Sequence, residues 1–167
     1  MKGELYDFFE RDHRRLEVLL EKATAPESGF DMDAYREFRQ GLLRHIRMEE
    51  TILLPTAMKI RNGEPLAIAA KIRLDHGALT ALMVPPPSKM IVAAVKGILA
   101  DHDLLEEGPG GMYESIESLS GTQATEMLEK AKSTPEVRLQ PNQPGDNILD
   151  ATRRAVARAG YNLDDYS

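Results

Sequence analysis

A six-residue phrase occurs twice in the chain, His45-Ile46-Arg47-Met48-Glu49-Glu50 and His102-Asp103-Leu104-Leu105-Glu106-Glu107, each an H-x-x-x-E-E. On an α-helix, residues four apart lie one above the other, so each phrase aims an imidazole and a carboxylate at the same point. The two remaining histidines, His13 and His76, fall in the segments that precede the two copies. Four imidazoles with the carboxylates of Glu49 and Glu106 are too few to saturate two six-coordinate cations but suffice to hold a pair, each glutamate bridging through its two oxygens. Any one His/Glu pair at this spacing is ordinary helix decoration. All of them together are not, because several ionisable groups meeting in a core would each cost kcal/mol to desolvate, and a dinuclear cation site offsets that cost. With no cysteine in the chain, disulfide scaffolds, zinc fingers, iron–sulfur clusters and thiolate haem ligation are excluded. Imidazole and carboxylate without thiolate suit iron, manganese or zinc.

The elements that must position these groups are helical. From Lys2 to about Ala23, Leu5, Phe9, Leu16 and Leu20 recur at helical spacing with His13 in the middle of the stripe. Pro26, Ser28 and Gly29 end that helix, and Asp31 or Asp33 offers an N-cap for a long second helix toward Arg61, with Phe38, Leu42, His45, Glu49, Ile52 and Thr56 inward. Pro55 predicts a kink there. Pro65 opens a third helix with Leu66, Ala69, Ile72, His76, Leu79 and Met83 inward, and Pro85-Pro86-Pro87 stops it. Ser88 caps a fourth, whose inward line is Ile91, Val95, Ile98, His102 and Glu106, closed by Gly108-Pro109-Gly110-Gly111.

Four helices with short connections predict an all-α, up-down four-helix bundle. Alternate helices then run parallel and present the two phrases at one depth. A fifth helix from about Met112 to Lys132 contains Gly121, and Ser133 to Gly145 reads as a Pro-containing connector. Asp146 caps a last amphipathic helix to about Ala159 that docks on the bundle or on a partner subunit, which would make the extension a homodimer contact. The domain reading is a metal-binding bundle over 1–132 and a connector with terminal helix over 133–167.

The 167 residues fit one domain. With 27 acidic against 21 basic residues, and no basic stripe interleaved with aromatics, a nucleic-acid partner is not expected. No apolar run reaches membrane-spanning length and the N-terminal residues carry charges where a signal peptide needs an apolar run, so the expected location is the cytoplasm.

At residues 1–132 the sequence resembles the hemerythrin-like family, the HHE cation-binding domain. The resemblance rests on Asp12-His13 followed by Leu16, on His45 to Glu50 with Leu54-Pro55 after it, on Asp75-His76, and on His102 to Glu107. It implies an oxo- or hydroxo-bridged non-haem di-iron centre in which His13 and His45 serve one iron, His76 and His102 the other, and Glu49 and Glu106 bridge. It also implies a protein that binds or senses dioxygen, nitric oxide or iron. Where oxygen carriers of this family have a second histidine on the third helix, this chain has Ile72 or Thr80, which favours sensing, redox chemistry or iron handling over reversible carriage. The alternatives are a di-iron enzyme that reduces peroxide or nitric oxide or delivers iron for cluster repair, and a helical scaffold working through its C-terminal extension.

Asp12, Asp75 and Asp101 each precede a histidine directly. A residue at i−1 points about 100° away on a helix, so such an aspartate could reach only a neighbouring helix's histidine, and we read all three as solvated surface. Glu17, Glu50 and Glu107 rank as outer supports, Tyr6 as a core or rim tyrosine, and Met48, Met83 and Met90 as gap-filling residues.

Overall fold

The structure is a computed structural model and describes residues 2–167. Among these residues the regular structure is helical, with no strand: α1 Glu4–Thr24, α2 Met32–Met48, α3 Leu54–Ile60, α4 Ala69–Leu82, α5 Lys89–Glu107, α6 Met112–Ser120, α7 Gln123–Lys132 and α8 Asp146–Arg158. The chain divides into two compact units, Met1–Leu66 with Glu107–Leu139, and Ala67–Glu106 with Gln140–Ser167. No helix is long and apolar enough to cross a membrane.

The first unit is built on the pairing of α1 and α2. Leu5, Phe9, His13, Leu16 and Leu20 are buried along α1, and Tyr35, Phe38, Leu42, His45 and Ile46 along α2. Asp31 is the N-cap, its side chain accepting a hydrogen bond from the Ala34 N–H at 3.1 Å. Gly41 marks the close approach of the two helices, because a Cβ there would lie 2.7 Å from Leu16 Cδ2.

Pro55 acts differently from a simple kink. Residues Glu49–Leu53 form a π-helical turn, and the Leu54 N–H reaches back to the Glu49 carbonyl. The wider turn absorbs the missing proline donor upstream, and it begins at the glutamate of the first phrase. One extra residue in the turn also rotates everything after it, so Ile52, Leu53, Leu54 and Ala57 are buried, while Thr56, expected inward on an unbroken α-helix, is only half-buried.

The expected fifth helix is two helices. Gly121 adopts φ 51, outside α-helical backbone, and separates α6 from α7. Residues 134–139 are tied to α2, with Arg44 Nε donating to the Thr134 carbonyl at 2.8 Å and Gln40 Nε2 to the Val137 carbonyl at 3.0 Å.

In the second unit α4 carries the predicted inward line, with Ala69, Ile72, His76 and Leu79 buried and Met83 buried just past its end; Leu66, also buried, closes the first stretch of the first unit. The helix starts at Ala69, four residues after Pro65. Ser88 caps α5, its Oγ accepting from the Ile91 N–H at 3.2 Å. The terminal helix α8 docks on α4 of its own chain, burying Thr152, Ala155 and Val156. Its N-cap is Gly145 rather than Asp146, which lies in the first turn. Asn142 seals the end of α4 by donating Nδ2 to the Met83, Val84 and Pro85 carbonyls at 3.2, 3.3 and 2.9 Å, groups that a helix C-terminus leaves without partners.

One buried group in the first unit is poorly provided for. Tyr35 is 0% exposed and its hydroxyl has no hydrogen-bond partner; burial pushes that phenol up to about 12. Tyr35→Phe removes the desolvated hydroxyl and keeps the ring, so it should stabilise the fold by about 1 kcal/mol. Urea unfolding checks this, and a lower midpoint for the variant contradicts it.

Candidate metal centre

Each unit buries one set of histidines and a carboxylate. In the first, His13 comes from α1, His45 from α2 and Glu49 from the start of the π turn, and their ligand atoms lie within 4.8 Å of one another. All three are at most 5% exposed. His45 Nε2 stands 3.1 Å from Glu49 Oε1, as the four-residue spacing predicts. In the second set His76 comes from α4, and His102 and Glu106 from α5, again with ligand atoms within 4.8 Å. His102 Nε2 is 2.8 Å and His76 Nε2 3.6 Å from Glu106 Oε1. The six residues singled out from sequence thus gather as two buried triplets. Such His/Glu clusters could hold a metal ion.

The outward faces of the imidazoles are held by further carboxylates. Asp12 Oδ2 lies 2.8 Å from His45 Nδ1, and Asp75 Oδ2 lies 3.2 Å from His102 Nδ1. Both aspartates therefore serve the histidine of the following long helix, and the reading of them as solvated surface is corrected: Asp75 is 0% exposed. Asp101 is exposed and fits that reading. Glu107 takes the same part for His13, accepting at Nδ1 while Arg14 NH2 grips its two oxygens at 2.5 and 2.7 Å. A proton on Nδ1 given to a carboxylate leaves Nε2 with its lone pair facing inward, the tautomer that metal ligation needs.

Without a cation in place, the facing carboxylates favour the charged imidazoles, whose inward proton a metal would have to displace. Burial pushes the Asp12 carboxyl up, but His45 and Arg15 beside it outweigh burial and hold it at about 2. Burial disfavours the charged forms of His45 and His102, yet the facing carboxylates win: His45 is raised, and His102 is brought up to about 9 by Glu106 and Asp75. Lys71 completes the second set's support, donating Nζ to Asp75 Oδ1 at 2.6 Å and to the Ala159 carbonyl, just past the end of α8, at 2.7 Å. The terminal segment is thereby linked, through Lys71 and Asp75, to His102.

Among the other sequence candidates, Glu17 is an exposed partner of Arg14 at 3.1 Å. Tyr6 is a core tyrosine whose hydroxyl donates to the Glu107 carbonyl at 2.6 Å. Met48 and Met83 are buried in the core. Ile72 is 0% exposed and Thr80 is exposed. Tyr113 was not legible from the sequence: it lies on α6, outside both phrases, and is 2% exposed with its hydroxyl among the first set's donors. A hydrogen-bonding residue just after the Gly108 to Gly111 break is the only hint the sequence offers.

The donor chemistry fits a non-haem cation: two imidazoles and one carboxylate per set, buried, without sulfur. No family model, no curated protein and no solved structure matches the chain.

Proposed function

We propose that the protein is a non-haem di-iron protein of the hemerythrin-like kind that binds or senses dioxygen, nitric oxide or iron, with His13, His45 and Glu49 serving one metal and His76, His102 and Glu106 the other. The up-down four-helix bundle of that family belongs to the same proposal. The observation that carries it is the pair of buried triplets, each with two imidazoles and a carboxylate whose donor atoms lie within 4.8 Å. So many ionisable groups would be costly to bury without a cation. The chain's own contribution is orientation: Asp12, Asp75 and Glu107 fix the rings, and the six residues of the two triplets are each at most 5% exposed. Bound iron would supply coordination positions that three protein donors leave open to a small ligand. Manganese and zinc suit the same donors.

Protein purified without chelator should carry close to two irons per chain by elemental analysis, and a fully folded, metal-free protein refutes the reading. The optical spectrum of the reduced, iron-loaded form, before and after dioxygen, azide and nitric oxide, separates the ligand classes. An adduct that releases its ligand unchanged supports binding or sensing. Repeated consumption of peroxide or nitric oxide with a reductant present supports the enzyme reading.

A further inference from the structure

We propose that Tyr113 is a fourth, phenolate ligand to the metal held by His13, His45 and Glu49; the inference rests on the metal-binding reading above and deepens it. The Tyr113 hydroxyl oxygen lies 3.0 Å from His13 Nε2, 3.1 Å from His45 Nε2 and 2.5 Å from Glu49 Oε1. Those are the inward-facing atoms of the triplet. Neighbouring donors around one octahedral cation with bonds of about 2.1 Å are separated by about 3.0 Å. The phenol oxygen therefore keeps the spacing of a member of the coordination sphere, as do His45 Nε2 and Glu49 Oε1 at 3.1 Å from each other.

The ring has little freedom to leave this position. Tyr113 is 2% exposed, meets Tyr6 edge-on at 5.8 Å between centroids and Phe9 at 5.3 Å. It sits in the first turn of α6, directly after the glycine-rich break that ends α5. A cation taken up by the triplet must accept this oxygen as a neighbour. On coordination the phenolic O–H bond gives its proton to solvent and an oxygen–metal bond forms, with no change of oxidation state.

The consequence is an asymmetric pair of sets. The first adds an anionic, hard oxygen donor to two imidazoles and a carboxylate, which favours the trivalent over the divalent ion. In the second set His102 is met by the carboxylates of Glu106 and Asp75. The two irons would then differ in ease of reduction, which suits redox chemistry or ferric iron handling better than reversible carriage of dioxygen.

The test loads the full-length protein with iron(III) supplied as ferric citrate and reads metal content, visible absorption and resonance Raman scattering. The expected result is a visible phenolate-to-iron charge-transfer band, with enhanced tyrosine ring modes that shift when the protein is made with ring-deuterated tyrosine. Tyr113→Phe should retain helical circular dichroism and lose the band, whereas Tyr35→Phe keeps it. Iron-loaded wild type without the band, or a band that survives Tyr113→Phe, overturns the phenolate ligand and leaves the metal-binding reading standing. Wild type that takes up no iron overturns both. If Tyr113→Phe fails to fold, the deuterium-shifted Raman modes of the wild type, unchanged in Tyr6→Phe, Tyr35→Phe, Tyr161→Phe and Tyr166→Phe, still assign the ligand, and their absence refutes it.

Discussion

Asp75→Asn should weaken divalent metal binding at the His76, His102 and Glu106 set by about 10- to 100-fold, and Asp12→Asn should do the same at the His13, His45 and Glu49 set. Each aspartate holds the Nδ1 of one histidine of these sets, at 3.2 Å for Asp75 and 2.8 Å for Asp12. An asparagine oxygen can still accept that hydrogen bond, so the ring stays oriented. What is lost is the negative charge that makes Nε2 a better donor and opposes the charge of the bound cation. Titration with cobalt(II), read by its visible absorption, should then show one of two binding steps displaced in each variant, and a different one in each. Asp101→Asn is the control. It removes an aspartate in the same sequence position, directly before His102, but an exposed one. A loss of affinity in Asp101→Asn as large as in Asp75→Asn would mean that bulk acidity, and not the hydrogen bond to the ring, matters.

Those aspartates also show where sequence reading succeeds and where it stops. The spacing of His45 to Glu49 and of His102 to Glu106 is a property of one helix, and the structure reproduces it directly as short Nε2 to Oε1 distances of 3.1 and 2.8 Å. The inward lines of α1, α4 and α5 were legible for the same reason. Asp12 and Asp75 are pairwise properties of two helices. Viewed along their own helices they point away from the adjacent histidines, and only the packing of α1 with α2, and the 3.2 Å bond from α4 to α5, shows which ring each supports. The repeat is consequently longer than the H-x-x-x-E-E phrase. It includes an Asp-His on the preceding helix, which supplies one histidine to a buried set and one carboxylate that supports a ring.

Tyr113 lies beyond even that rule, because α6 belongs to neither repeat. The π turn at Glu49 was half legible. Proline announced a break, but whether the helix bends or widens depends on which residues the surrounding core accepts, and Leu53 and Leu54 at 1% and 3% exposure show that it accepts the widened register. Residues up to Leu139 belong with the first unit, those from Gln140 with the second.

The metal-free protein should lose stability between about pH 6.5 and 9, while metal-induced stabilisation grows over the same interval. His102 carries the argument. Burial alone would lower its proton affinity, but Glu106 on its own helix and Asp75 on α4 face it, and against the repulsion of His76 they bring it up to about 9. In the unfolded chain a histidine titrates near about 6.5. A group that holds its proton more tightly when folded adds stability that is complete below the unfolded value and is lost as pH rises through the folded one. Each unit of difference corresponds to about 1.4 kcal/mol, so the loss for His102 is on the order of 3 kcal/mol. His45 is shifted in the same direction and adds to it. Asp75 and Asp12 stay ionised across this window, since both are held below the ordinary carboxylate range, and contribute no slope. Metal binding has the opposite dependence, because a cation must displace the imidazolium proton and competes better as that proton becomes scarce. Chemical unfolding at several pH values, with chelator and with saturating zinc, measures both curves. A chelated protein whose stability is flat or rising from pH 6.5 to 9 would show that these histidines are neutral without metal and that the carboxylates facing them do not set their charge.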